Sequence, residues 1–132
     1  MTLCTGESLR SYLEGGIGGA VPADAQFIGK SRDGVPVSVC AFWDWTAHEV
    51  EISIWSCRPL SRDFLRRLNH YAFTELKCQR VTCRTAADRV AWCGQIERVG
   101  FVREGTMRLA FDGVRDLAVF GLLRGEFNYE KG

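Results

Sequence analysis

Two histidines, His48 and His70, stand far apart with no carboxylate motif to accompany them, so no metal site is expected. The six cysteines, Cys4, Cys40, Cys57, Cys78, Cys83 and Cys93, include no CxxC pair. Most fall in apolar strand or helix patterns, which predicts reduced, mostly buried thiols in a cytoplasmic protein. No apolar run approaches the roughly 18 residues that a spanning helix needs. The opening MTLCTGESLR has no charged region followed by an apolar block, so no signal peptide is expected. A net charge of +1 makes no electrostatic case for nucleic acid or an anionic membrane. Internal repeats, low-complexity tracts and linkers are also missing. What is present is globular: 46% of the 132 residues are apolar and 25% charged, enough for one domain with a working core.

Taken in order, residues 7–14 predict a short helix, with Thr5 as N-cap and Gly15-Gly16 as its stop. The glycine run 15–19 lacks the strand–loop–helix context of a phosphate cradle and reads as a flexible loop. Residues 27–31 and 36–42 predict two strands joined around Asp33-Gly34, a strong hairpin signal. Residues 43–47 form a second connection, with Trp43 and Trp45 as an exposed pair and candidate contact surface. A strand over 48–55 puts His48, Val50, Ile52 and Ile54 on one face and Glu49, Glu51, Ser53 and Trp55 on the other. Ser61 can cap a helix in which Phe64, Leu65, Leu68, Tyr71, Ala72 and Leu76 recur at helical spacing. His48 and His70 read as structural or surface residues.

The stretch 78–123 organises the rest. Val81 and Cys83 alternate with polar neighbours in a strand. Asp88 is the expected N-cap of a helix with Val90, Ala91, Ile96 and Val99 on its apolar side. Gly100 ends that helix in a left-handed conformation. Phe101 starts a strand, Asp112-Gly113 turns it, and 117–123 returns. Residues 125–132 read as a polar, partly disordered tail.

This order, and the phrase Gly100-Phe101, Glu104-Gly105, Arg108, Asp116 and Leu122-Leu123-Arg124, resemble the C-terminal half of the GNAT (GCN5-related) N-acetyltransferases. The likeness is to their ribosomal-protein N-acetyltransferase branch and to small phage-encoded relatives. The tract 71–76 with 78–81 adds to it. The resemblance implies an α/β fold: a mixed, mostly antiparallel sheet of about six strands with helices on both faces. It also implies a single domain over 1–132, abbreviated over 1–26 where such domains place a strand and two helices.

The resemblance further implies acetyl-CoA as cofactor, lying where strands 49–55 and 80–84 splay apart, and an amine as acceptor. On that alignment Ser53, Trp55, Arg58, Ser61, Arg62 and Arg89 are the cofactor-binding positions, and Glu51, with Glu49 beside it, is the catalytic base. Glu51 is the more central of the two. Departures accompany the likeness. The glycines of the pyrophosphate turn are replaced by Cys57 and Pro59, and Pro59 has no N–H to donate. The position of the usual acid tyrosine holds Ile96, with Cys93 nearby. These departures leave an alternative: an inactive GNAT-fold assembly protein with protein partners, as in a phage virion.

Overall fold

A computed structural model describes residues 2–129. Seven strands form one sheet: β1 (Thr2–Thr5), β2 (Gln26–Arg32), β3 (Val35–Trp43), β4 (Glu49–Ser56), β5 (Arg80–Ala86), β6 (Val102–Met107) and β7 (Leu117–Leu123). Their order is β1-β2-β3-β4-β5-β7-β6, with β4 and β5 parallel and every other pairing antiparallel. The helices are α1 (Arg10–Ile17), α2 (Arg62–His70) and α3 (Val90–Val99). Strand alternation sends Ile28, Cys40, Phe42, Val50 and Ile52 to the face covered by α2 and α3. It sends Phe27, Val39 and Ala41 to the face covered by α1. The mixed sheet with helices on both faces is the expected architecture, with one strand more than expected. That strand is β1, which pairs with β2 from Thr2–Ser31 to Thr5–Ile28 at the sheet edge.

The β2–β3 hairpin turns at Asp33 and Gly34, both with positive φ (53° and 79°), as the turn's twist requires. The first helix departs from expectation. A 3-10 turn over Glu7–Leu9 leads into α1 with no side-chain cap, so Thr5 is not its N-cap. Nor do Gly15 and Gly16 stop it; the stop is Gly18, at φ 73°. The run 15–19 is therefore helix end and cap, not a free loop. Gly16 is held inside α1 by packing: a Cβ there would lie 1.9 Å from Trp55 Cδ1. That contact, with Leu9 and Leu13 buried beneath, outweighs the roughly 1 kcal/mol a helical glycine costs.

Ser61 caps α2 as expected, its Oγ accepting from the Phe64 N–H at 3.4 Å. Phe64, Leu65 and Leu68 are buried, and Ala72 and Phe73 continue the apolar face. From Tyr71 to Glu75 the helix widens into a π turn. Arg124 closes it, donating from Nη2 to the Phe73 carbonyl (2.8 Å) and the Cys78 carbonyl (2.7 Å). Arg124→Ala leaves both acceptors short of their charged donor and is expected to cost about 2–3 kcal/mol. Urea unfolding measures this, and a loss below about 0.5 kcal/mol would contradict it.

Asp88 is not the N-cap of α3. That position is Arg89, with no side-chain cap, while the Asp88 carboxylate faces Arg115 Nη1 at 3.6 Å. Gly100 ends α3 with φ 125°, positive as expected. The tail is packed as far as Tyr129. Asn128 N–H donates to the Val99 carbonyl (2.9 Å), and Phe127 and Tyr129 lie against the core. Residues 130–132 of the expected tail lie outside the described residues. All six cysteines are free thiols. No helix among the described residues is long and apolar enough to cross a membrane.

The feature that positions a site is the fork between β4 and β5. Their pairing runs from Glu49–Arg80 to Ile52–Cys83 and stops, although β4 continues to Ser56 and β5 to Ala86. Beyond Ile52 the strands part and leave a V in the sheet.

Candidate active site

The V opens into three clefts in line. The largest, about 750 Å³, has Ser53, Ile54, Cys83 and Arg84 among its lining, with the end of α1 and the β6–β7 loop at its sides. It shares Arg89 and Trp92 with a middle cleft of about 550 Å³ bounded by Cys57, Arg58 and Pro59. The middle cleft shares Pro59 and Gln95 with a third, about 360 Å³, lined by Arg62, Arg98 and Tyr129.

Glu51 sits on β4 one residue before pairing with β5 ends, on the α1 side of the sheet. Only 8% of the residue is exposed, and Arg84 Nε lies 3.4 Å from its Oε1. Burial pushes its carboxyl up to about 7. Arg84 pulls the other way, and Asp44 and Glu49 add to the rise. Near neutral pH the group exists in both forms, as a proton acceptor requires.

Glu49 differs. It is half-exposed and paired with Arg80 at 3.3 Å, while Arg80 forks onto Glu104 at 2.9 and 2.6 Å. It belongs to a surface chain of charge that crosses the sheet above Gly121, where a Cβ would meet Glu104 at 2.5 Å.

The other expected positions separate. Ser53 faces the large cleft, its Oγ accepting from Trp43 Nε1 at 3.1 Å. Trp43 is thus the half-buried end of β3; of the expected exposed pair only Trp45 is exposed. Trp55 does not line the V. Its ring lies under α1 against Gly16, 6.3 Å from the Tyr12 ring, a packing role in place of the cofactor contact expected of it. Arg58 reaches the middle cleft, Arg62 the third, and Arg89 both the first and the second. The Arg89 guanidinium rests 5.5 Å above Trp92, and that of Arg62 rests 5.4 Å above Tyr129.

The turn after β4 offers few backbone donors. Cys57 N–H is taken by the Val37 carbonyl at 3.0 Å, and Arg58 N–H is directed at Ser56 Oγ at 3.4 Å. Ser61 spends its side chain on the cap, and the first turn of α2 already holds an anion, Asp63. Lys30, then Ser61 and the Phe64 N–H, hold that carboxyl down at about 2. The turn offers side chains, not a backbone cradle, to an anion. Ile96 is core, and so is Cys93, whose burial raises its thiol and whose Sγ points to the Ala86 carbonyl.

Sequence reasoning passed over Arg84 and Arg115. Arg84 had a readable signal: it lies on the polar alternation of β5, across the fork from Glu51. Arg115 had none, because only the folded β6–β7 loop brings it to the cleft.

No protein-family model matches the sequence, and no curated protein matches it. Solved structures do. One described as a probable acetyltransferase is 25% identical with a TM-score of 0.66, the match covering 80% of this chain and 65% of that one. A mutant of the spermidine N-acetyltransferase SpeG from Vibrio cholerae is 14% identical with a TM-score of 0.78, over 99% of this chain and 98% of that one. YncA of Salmonella typhimurium, solved with its cofactor acetyl-CoA, is 17% identical with a TM-score of 0.73, over 96% and 95%. The assembly alternative, with its phage and virion setting, gains no support from these likenesses, and they do not single out the ribosomal-protein branch. The architecture, the parallel pair that splays and the matching structures show that this chain has the GNAT fold.

Proposed function

We propose that this protein transfers an acetyl group from acetyl-CoA to an amine. The observation that carries the reading is Glu51, a carboxyl nearly excluded from water and raised to about 7, beside the fork of the V. Acetyl-CoA supplies the activated acyl carbon. The uncharged amine attacks it, a C–N bond forms as the C–S bond breaks, and the surplus amine proton passes to the Glu51 carboxylate. Of the three tyrosines Tyr129 lines the third cleft and none lines the first two, so the departing thiolate takes its proton from solvent.

The residues present fit the cofactor in one respect and depart from the family in another. Beyond Ile52 the β5-facing backbone of β4 has no strand partner, which suits the amides of a pantetheine arm. Arg58, Arg62 and Arg89, strung along the middle and third clefts, would meet the phosphates in place of the missing glycines. Residues 1–132 act as one domain in this reading, and six free thiols support a cytoplasmic setting.

Calorimetric titration with acetyl-CoA tests the proposal. The expected result is micromolar binding, weakened about tenfold by Arg89→Ala. No heat and no thermal stabilisation at millimolar ligand would remove the proposal.

A further inference from the structure

The large cleft beside Glu51 is the place an acceptor would occupy if the acetyltransferase reading holds, and its charges say what kind of amine fits. Arg84, Arg89 and Arg115 line it, against one carboxylate, Asp112. Asp112 is already engaged: Oδ1 accepts from the Val114 and Arg115 N–H groups at 3.0 and 2.8 Å, and Oδ2 from Arg115 Nε at 3.0 Å. Glu51 pairs with Arg84 and is reserved for the reacting proton. A polyamine needs several carboxylates to hold its ammonium groups. Here it would meet arginines instead.

Two of those arginines, each already in an ion pair, keep part of the side chain exposed. Half of the Arg84 side chain is exposed, with Glu51 as its ion-pair partner among the described residues. Arg115 is held over the Phe111 ring at 4.7 Å, donates Nε to Asp112 at 3.0 Å and reaches Asp88 at 3.6 Å, so its guanidinium is fixed in place with 43% of the side chain exposed. A guanidinium offers a planar fork of donors that matches a carboxylate. The cleft, at about 750 Å³, lies within the size range of small-molecule sites.

We infer that the acceptor is an amine bearing a carboxylate, held by Arg84 and Arg115 with its nitrogen toward Glu51, and not a polyamine. The matching spermidine enzyme shares the fold, and this cleft carries the opposite preference. Such a carboxylate comes either with a free acidic amino acid or with the acidic N-terminus of a peptide.

Calorimetry on the full chain separates these, using free glutamate, the peptide Ala-Glu-Ala and spermidine, each with and without acetyl-CoA. At least one of the two carboxylate-bearing amines is expected to bind about tenfold more tightly than spermidine. Arg115→Gln should erase that preference and leave acetyl-CoA affinity unchanged. Tighter binding by glutamate than by the peptide identifies the free amino acid as the source, and the reverse identifies the peptide. Equal or tighter binding of spermidine, or no heat from any of the three, overturns the inference on the wild-type protein alone. Loss of acetyl-CoA binding with glutamate binding retained would instead overturn the transfer reaction and leave an anion-selective cleft.

Discussion

Glu51→Gln is expected to slow acetyl transfer by about two to four orders of magnitude and, above pH 7, to make the protein more stable. The two effects have one cause. Burial holds the Glu51 carboxyl at about 7 in the folded chain against 4.5 in its ordinary state. Folding therefore takes up a proton at intermediate pH. The stability that goes with it is complete below about 4.5 and is lost as pH rises through 7. By pH 8 the ionised group costs about 3 kcal/mol relative to one that titrates alike in both states. Glutamine has no charge to bury.

Urea denaturation at pH 8 should thus place the variant above the wild type, and at pH 4.5 the two should coincide. On the kinetic side, kcat/KM of the wild type, expressed per concentration of uncharged amine, should fall tenfold for each pH unit below 7 and level off above it. A variant that is both inactive and less stable at pH 8 would make Glu51 a structural member of its pair with Arg84. One that is fully active would move the base elsewhere.

Gly100→Ala is expected to be the most damaging small substitution in the chain, costing more than about 3 kcal/mol. Gly100 combines two demands that a methyl group cannot meet. Its φ of 125° is one that L side chains rarely adopt, and its Cβ would stand 2.2 Å from the Glu126 carbonyl oxygen. Neither α3 nor the 126–129 segment can withdraw freely. Val99 accepts from Asn128 N–H, and Asn128 Nδ2 holds the Arg98 carbonyl at 3.0 Å. The change should also weaken acetyl-CoA binding, because Tyr129 lines the third cleft with Arg62. Gly94→Ala is the control. It lies inside α3 with open space around its Cβ, and should stabilise by about 0.5–1 kcal/mol. If Gly100→Ala folds as stably as the wild type, the packing of 126–129 against the helix end is not what anchors the tail.

Much of this fold could be read from residue order because its signals are local. Alternation in β3 and β4, Asp33-Gly34 at the hairpin and Val99-Gly100-Phe101 at the end of α3 each depend on neighbours in the chain. The residues that misled depend on distant ones. Gly15 and Gly16 look like a helix stop until Trp55 packs against the bare backbone. Asp88 looks like a cap until Arg115 takes its carboxylate. β1 is four residues at an edge, mostly exposed, with no apolar rhythm to announce it. The π turn after α2 is closed by Arg124, which is 51 residues away from Phe73, one of the residues whose carbonyl it binds. At the candidate site, the strand face of Glu51 was legible, whereas its burial and its partner across the fork arise only when β4 and β5 pair in register.

The turn after β4 has one more consequence. Cys40, Cys78, Cys83 and Cys93 are buried and Cys4 is half-buried against Ser31, while Cys57 stands exposed at the wall of the middle cleft. A thiol-reactive dye added to the native protein would therefore label one position first, with no engineering. Its reaction rate would report, in real time, whether anything fills the space beside it. The residue standing where the resemblance leads one to expect a glycine turns the turn after β4 into a built-in gauge of occupancy.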